Sequence, residues 1–335
     1  MATIKDVCEL AQVSKSTVSR ALTGHPSIAE KTKKKVLKAI EELNFRPNAA
    51  ARSLASKRTH SIGMLVITID SPYFSSMVSS AEEVARYNGF HLIPTSGYAV
   101  REYDLDVIKF LQSKQVDGLI IHSGGLSDND ILGIIKEIPA TILLNRYIPQ
   151  IAENCIVLDN VLGGYLATKH LLENGHTEIG CITGSLHQID CQERLQGYRN
   201  ALAEHGIKYD ENLIIEGHFS LENNNLAPIK LLDRDTQLTA IFCLNDHIAL
   251  GVYDVLKERN IGIGEDISVI GYDNSDFSTH ICPKLTTVNV PTKEMGTEAT
   301  RKALAIINDS EYVMKDKLLP ELICRNSVKN ITQAG

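Results

Sequence analysis

Lys15, Ser16 and Arg20 lie in one short helical stretch, Lys15 to Leu22, that follows a break at Gln12-Val13-Ser14. A first helical stretch, Thr3 to Ala11, precedes the break. Two short helices joined by a tight turn place the second one in a DNA major groove. Lys15 and Arg20 supply donors for guanine acceptors there, and Ser16 a less selective hydroxyl. Thr17 and Ser19 suit phosphates or the packing of the head. On an isolated helix Lys15 and Arg20 would be ordinary solvated charges. The run Lys33-Lys34-Lys35 is read that way, as a solvated face with general attraction to DNA.

The elements that must position these side chains are legible nearby. Thr3 is expected to cap the first helix, with Asp6 near its positive end. Ile4, Val7, Leu10 and Ala11 share one face, and Val18, Ala21 and Leu22 face inward from the second helix. Ser27-Ile28-Ala29-Glu30 reads as a capping box that opens a third helix. Val36, Leu37, Ile40 and Leu43 give that helix its apolar face. Pro47 to Ser56 follows, with Pro at a helix start and alanines that favour helix. It is short and offers little apolar surface. It reads as a linker that becomes helical when something packs on it.

At 335 residues the chain is long enough for two or three domains. Its net charge of −7 is unevenly spread. Residues 1–60 hold 12 Lys and Arg against 5 Asp and Glu, and the remainder holds 22 against 36. A basic head on an acidic body fits a polyanion partner, with contact confined to the head. The seven cysteines are scattered without a Cys-x-x-Cys pair, so reduced, mostly buried thiols are expected. No apolar run is long enough for a membrane helix, and the first residues lack the apolar core of an export signal. A cytoplasmic location is therefore expected.

From Ser61 the pattern alternates strands and helices. Strands are expected at Ile62–Ile69, His91–Thr95, Gly118–His122 and Ala140–Leu144, with helices at Phe74–Asn88 and Asp104–Ser113. A second series starts near Ile156, with strands near 178–183, 213–217, 239–243 and 267–271. Such alternation argues for parallel sheets with helices on both faces, here in two similar lobes. The fold class is α/β: an all-α head plus a two-lobed body with parallel sheets. Ligands bind beyond the C-terminal ends of the strands, which points to the cleft between lobes.

Head, linker and body together resemble the lactose/galactose repressor family of bacterial transcription regulators. The resemblance runs from Ala2 to about Arg325. It rests on Ala2-Thr3-Ile4-Lys5-Asp6-Val7, Val13-Ser14-Lys15-Ser16-Thr17-Val18-Ser19-Arg20, Arg46-Pro47-Asn48 and Ala51-Arg52-Ser53-Leu54. Body motifs include Leu144-Asn145-Arg146, Gly175-His176-Thr177, Glu193-Arg194-Leu195-Gln196-Gly197-Tyr198, Asn245-Asp246, Ser268-Val269-Ile270-Gly271-Tyr272-Asp273 and Pro283-Lys284-Leu285. Two departures are Gln12, where the turn usually carries Gly or Asn, and Cys8 in place of a common Ala. The resemblance implies a helix-turn-helix head at 1–46, a hinge helix and linker at 47–60, and a two-lobed, periplasmic-binding-protein-like body at 61–335. That body would bind the effector and dimerise.

The resemblance also implies a repressor that binds a near-palindromic double-stranded operator as a homodimer. Asn48 and Ala51 join the DNA-binding set. Leu54 from each hinge helix is expected to wedge into a central minor-groove step, which kinks DNA. Packing within the helix is the alternative role for Leu54. Arg146, Arg194, Asn245 and Asp273 are the first candidates for effector binding, with a donor fork, an amide and a carboxylate to offer hydroxyls. Asp70, Tyr73, Phe74, Asp190 and Phe219 are second choices, the aromatics either stacking on a ring or packing the lobe. Asp246 is expected only to cap a helix, and Asp273 has an alternative role in a structural turn. The segments Leu143-Leu144-Asn145-Arg146 and Asp70-Ser71-Pro72-Tyr73-Phe74 most resemble galactose- and β-glucoside-type regulators. That points to a sugar. A purine, or a protein co-regulator of the catabolite-control type, is the alternative. No leucine heptad follows Arg325, so a dimer is expected rather than a tetramer.

Catalysis is disfavoured. Gly262-Ile263-Gly264 precedes a strand rather than following one, the wrong order for a dinucleotide loop. His170 and His176 are six apart, not the four that align two metal ligands on a helix. Cys181, Cys191 and His187 match no nucleophile motif. No cofactor or metal is expected.

Overall fold

A computed structural model of the chain describes residues 2–22, 27–45, 58–217, 225–234, 237–313 and 317–332. The chain divides into two compact units, Met1–Thr59 and His60–Gly335.

The first unit packs α1 (Ile4–Ala11), α2 (Lys15–Leu22) and α3 (Glu30–Glu42) around Val7, Ala11, Val18, Ala21, Val36 and Ala39. Three of these six are alanines, which lets the short helices approach closely. The Thr3 backbone N–H donates to the Asp6 carboxylate at 2.7 Å. That bond, with the Thr3 hydroxyl, holds the Asp6 pKa below its usual value. Gln12 ends α1 in the left-handed region at φ 50°. Ser14 opens α2: its Oγ accepts from the Thr17 backbone N–H at 3.2 Å.

Two expectations for α3 need correction. The helix starts at Glu30 behind Ala29, which offers no side-chain cap, so Ser27 is not its capping residue. Ile28 packs partly buried against the head core, and the chain passes Ser27 before the helix begins. Leu37 is 45% exposed, and Ala39 fills the core instead. Neighbours in a helix point about 100° apart, so Val36 and Leu37 cannot both face inward.

Among its described residues the second unit holds two six-stranded sheets. In the first, β1 (Ser61–Val66) lies between β2 (His91–Ser96) and β3 (Gly118–Ile121). Beyond β3 follow β4 (Thr141–Leu144), β5 (Cys155–Leu158) and, late in the chain, β11 (Lys317–Leu318). All pair in parallel. Buried Ile, Leu, Met and Val fill β1, β3 and β4, as strands covered on both faces require.

The second sheet runs β7 (Ile214–Glu216), β6 (Ile179–Thr183), β8 (Ala240–Cys243), β9 (Ser268–Asp273), β10 (Thr286–Asn289) and β12 (Glu321–Ile323). Among the described strands of this sheet, only β12 is antiparallel, against β10. The second series therefore does not start at Ile156, which sits in β5 of the first sheet. The first expected strand also stops at Val66, and Ile69 is 46% exposed.

The helices show why the lobes are interleaved rather than consecutive. α4 (Pro72–Tyr87) and α11 (Thr292–Ile307) pack together in the first lobe. α7 (Asn160–Glu173) and α8 (Ile189–Glu204) pack together in the second. The chain thus passes between lobes near Asp159, near Val290-Pro291 and near Leu319-Pro320. Two passages are tied: the Asp159 N–H donates to the Leu318 carbonyl at 3.0 Å, and Lys317 pairs with the Asp159 carboxylate at 2.6 Å. All seven cysteines are free thiols, and Cys282 and Cys324 are exposed.

Candidate functional site

On the head, Lys15, Ser16, Ser19 and Arg20 are exposed along α2, and Thr17 is half-buried. The Ser14 hydroxyl lies 2.7 Å from that of Ser16 and 2.8 Å from that of Thr17. The helix start is thus fixed by three hydroxyl side chains, while Lys15 and Arg20 extend from the exposed face. Lys35 reaches back to the Gln12 side chain at 3.5 Å, which braces the turn. Asn48, Ala51 and Leu54 lie outside the described residues, as does Phe219.

In the body, the position of Arg194 follows from a helix crossing. A Cβ on Gly164 of α7 would fall 2.0 Å from the Arg194 carbonyl oxygen. One on Gly197 of α8 would fall 2.1 Å from that of Val161. Only glycines allow this approach, and it delivers Arg194 into the protein with 3% of its surface exposed. Its guanidinium donates to the Asn160 side chain at 3.1 Å and to the Leu244 carbonyl at 2.6 Å. It also stacks on Tyr272, 3.8 Å from the ring centroid.

Two carboxylates flank the guanidinium. Asp273 Oδ1 lies 3.7 Å away and Asp190 Oδ2 3.9 Å away. Both are ion pairs too long for hydrogen bonds, so each carboxylate keeps acceptor capacity. Asp273 Oδ1 is buried with no hydrogen-bond partner among the described residues. Burial pushes the Asp273 carboxyl above its ordinary value, while the neighbouring Arg194 guanidinium pulls it back down. The arginine is held charged: burial opposes its proton, but Tyr272, Asp273 and Asp190 raise its pKa above the usual value.

The first lobe answers with aromatic rings. Tyr73 and Phe74, in the first turn of α4, meet edge-to-face at 4.9 Å. His122 follows β3 directly, with its ring 5.1 Å from Phe74 and its Nε2 3.3 Å from the Tyr73 hydroxyl. Burial drives the His122 pKa down to about 4, and Asp190 and Arg194 act on it in opposite senses. Burial likewise raises Tyr73, with Asp273 and Asp190 adding to the rise and Arg194 opposing it. The aromatic wall of one lobe therefore feels the charges of the other.

The structure brings together Arg194, Asp190, Asp273, Tyr73 and Phe74, and adds His122. The signal for His122 was its place at a strand's C-terminal end, where ligands bind in open α/β sheets. Asp70 lies at an exposed rim, accepting from the Thr68 hydroxyl. Its charge acts on His247, whose ring packs 5.2 Å from Phe277.

Arg146 and Asn245 stand apart from the cluster. The Arg146 guanidinium turns back to the Leu126 carbonyl and the Asp128 carboxylate. Its neighbour Asn145 makes a link instead: Asn160 donates to Asn145 at 3.0 Å and accepts from Arg194. Asn245 caps α10 (Asp246–Glu258), its Oδ1 accepting from the Ile248 N–H at 2.8 Å. Asp246, the expected cap, is fully buried instead. It accepts from the Ser275 N–H and the Thr287 hydroxyl, both at 2.7 Å, and so anchors the loop that follows Asp273. The extended backbone of Asn245 directs its side chain over the helix end, which leaves Asp246 to point inward.

Among the described residues no helix is long and apolar enough to cross a membrane. A family model for bacterial regulatory proteins, lacI family, matches residues 3–48, and one for a periplasmic binding protein-like domain matches 168–328. The chain is 38% identical over 338 residues to the HTH-type transcriptional repressor PurR of Vibrio cholerae, covering 100% of each. It is 35% identical over 336 residues to the HTH-type transcriptional regulator GalR of Salmonella typhimurium, covering 100% of this chain and 98% of that one. The lac repressor dimer bound to operator and the anti-inducer ONPF matches with TM-score 0.87 and 26% identity, over 98% of this chain and 99% of that one. The chain belongs to the lacI family of bacterial regulatory proteins, and it is a DNA-binding transcriptional regulator with a ligand-binding body.

Proposed function

We propose that this regulator is a homodimeric, cytoplasmic repressor whose hold on a near-palindromic operator is set by a small sugar bound between its lobes. Residues 1–46 form the DNA-reading head, 47–60 the hinge and 61–335 the effector-binding and dimerising body. Its work is regulatory rather than catalytic.

One observation carries the sugar reading. Asp190 and Asp273 flank a buried arginine, both with unused acceptor capacity, opposite an aromatic wall. A sugar offers paired hydroxyl donors to such carboxylates and an apolar ring face to Tyr73 and Phe74. Arg194 supplies donors for the ring or hydroxyl oxygens. A purine would meet the rings equally well but offers fewer donors to two carboxylates.

In this reading Lys15, Ser16 and Arg20 contact base edges, while Thr17, Ser19, Asn48 and Ala51 support backbone and hinge contacts. Leu54 wedges the minor groove. A ligand that prefers one relation of the lobes shifts the equilibrium by its differential affinity alone. Calorimetric titration with a panel of sugars and purine bases tests the assignment. Heat from sugars alone supports it, and binding of purines alone overturns it.

A further inference from the structure

Asp273 ends β9 at φ 103°, and Asn274 follows at φ 55°. Positive φ is uncommon outside glycine, and two such residues in succession persist only where their surroundings impose the conformation. The first of the two is the residue that offers a carboxylate to the effector. Whatever imposes the conformation therefore also aims that carboxylate.

Two anchors impose it. Asp246 holds the main chain, accepting from the Ser275 N–H and the Thr287 hydroxyl. The other anchor comes from far along the chain. β12 runs antiparallel to β10 with Thr287 opposite Ile323, and this register carries Arg325 back beside Leu285. The Arg325 N–H donates to the Thr286 hydroxyl at 2.9 Å. Its guanidinium donates to the Leu285 carbonyl at 2.7 Å, to the Ser278 hydroxyl at 3.0 Å and to Asn274 Oδ1 at 2.6 Å.

An arginine can only donate, so the Asn274 amide turns its oxygen towards Arg325. Its nitrogen then donates to Asn289 Oδ1 on β10 at 3.0 Å, and its backbone N–H to the Thr287 hydroxyl at 3.3 Å. Asn274 is thus fixed at its amide oxygen, its amide nitrogen and its main chain. Ser278 is fully buried in the short turn Asp276–Thr279, so the fork of Arg325 spans the loop from Asn274 to that turn. These bonds leave Asp273 Oδ1 unpartnered among the described residues.

We infer that Arg325 is a positioning residue of the effector site: it clasps Asn274 rather than the ligand, and so fixes the direction in which Asp273 offers its acceptor to a sugar hydroxyl. The inference rests on the sugar reading above and adds a residue to that site. Lysine keeps the charge but lacks the planar fork that spans three acceptors. Arg325→Lys should therefore damage one hydrogen bond of the effector selectively, rather than weaken binding of every sugar alike.

The test is calorimetry on the full-length protein with the tightest sugar of the panel and its monodeoxy analogues. The hydroxyl accepted by Asp273 is the one whose removal costs affinity in the unmodified protein but not in Asp273→Asn. Arg325→Lys should lower affinity for the parent sugar about tenfold, as expected for a displaced bond to a charged group. The analogue without that hydroxyl should bind Arg325→Lys and the unmodified protein within about twofold, and Arg325→Lys should add little to Asp273→Asn, because the two substitutions remove one coupled interaction. The melting temperature of each variant reports folding. Asn274→Ala, which removes only the acceptor, should give the same pattern and serves if Arg325→Lys does not fold. An equal loss for the parent sugar and every analogue would make Arg325 merely structural and overturn the inference. So would an unchanged affinity for the parent sugar, or the absence of any hydroxyl that Asp273 distinguishes, and each of these leaves the sugar reading intact. Absence of binding by any saccharide overturns the sugar reading, and this inference with it.

Discussion

The guanidinium carbon of Arg194 lies 3.8 Å from the ring centroid of Tyr272, the residue that precedes Asp273 on the same strand. The arginine is thereby clamped against the strand whose end carries its own counter-charge. Lysine cannot reproduce this, since it has no planar face and no fork of donors. Arg194→Lys is expected to lower sugar affinity at least tenfold. It should also destabilise the body by about 1.5–3 kcal/mol for each hydrogen bond to Asn160 or Leu244 that is not remade. Calorimetry and denaturant unfolding check both. Unchanged affinity would mean that Arg194 only packs the lobe.

The glycine crossing makes a second prediction. Gly197→Ala puts a methyl 2.1 Å from the Val161 carbonyl, so α7 and α8 must separate. Overpacking of this kind costs about 1–3 kcal/mol. Because α8 carries Arg194 and Asp190, sugar affinity should fall with stability. A crystal structure with the helices unmoved would contradict this.

Stability should depend on pH through the anchor behind the site. Burial holds the Asp246 carboxyl up at about 7, from an ordinary 3.8, although Thr287 and Ser275 donate to it. The folded protein then binds this proton more tightly than the unfolded chain, so the stabilisation is complete at low pH and fades as pH rises through 7. His122, lowered from 6.5 to about 4, acts the other way, and its contribution is lost as pH falls below 6.5. Between about pH 6.5 and 7, where His122 no longer titrates, Asp246 governs, so unfolding free energy should fall with rising pH there. Asp246→Asn should flatten that slope, and it should cost about 1–3 kcal/mol near pH 6 because one buried donor loses its acceptor. Urea titrations at several pH values measure both, and an unaltered slope would contradict the assignment.

The DNA predictions separate reading from bending. Arg20→Ala should weaken operator binding and relax sequence preference, by about 1–3 kcal/mol if Arg20 makes a bidentate base contact. Leu54→Ala should weaken binding and reduce the bend while the head stays folded. Fluorescence anisotropy on matched and mismatched operators tests the first, and gel-shift bend analysis tests the second. An unchanged bend and affinity would remove Leu54 from the interface.

The parallel strands could be read as apolar runs because both of their faces are covered. The interleaving of the lobes could not. β11 and β12, at Lys317–Leu318 and Glu321–Ile323, are too short to show a period and exist only by pairing with distant strands. At the site, Arg194, Asp190, Asp273, Tyr73 and Phe74 were each named from sequence. His122 was not, although it ends a recognised strand. Asn245, expected at the effector, took the cap expected of Asp246, and Asp246 anchors a loop instead, because adjacent polar residues at a helix start look alike until the backbone assigns one of them to the cap.

Operator binding measured with and without each candidate sugar tests the central claim most directly. A labelled operator titrated with the full-length protein should show its affinity changed at least tenfold by one sugar, in either direction, and not by purine bases. In the Arg194→Lys protein that response should disappear while binding without sugar persists. An operator affinity indifferent to every sugar, or responsive only to a purine, would contradict the account.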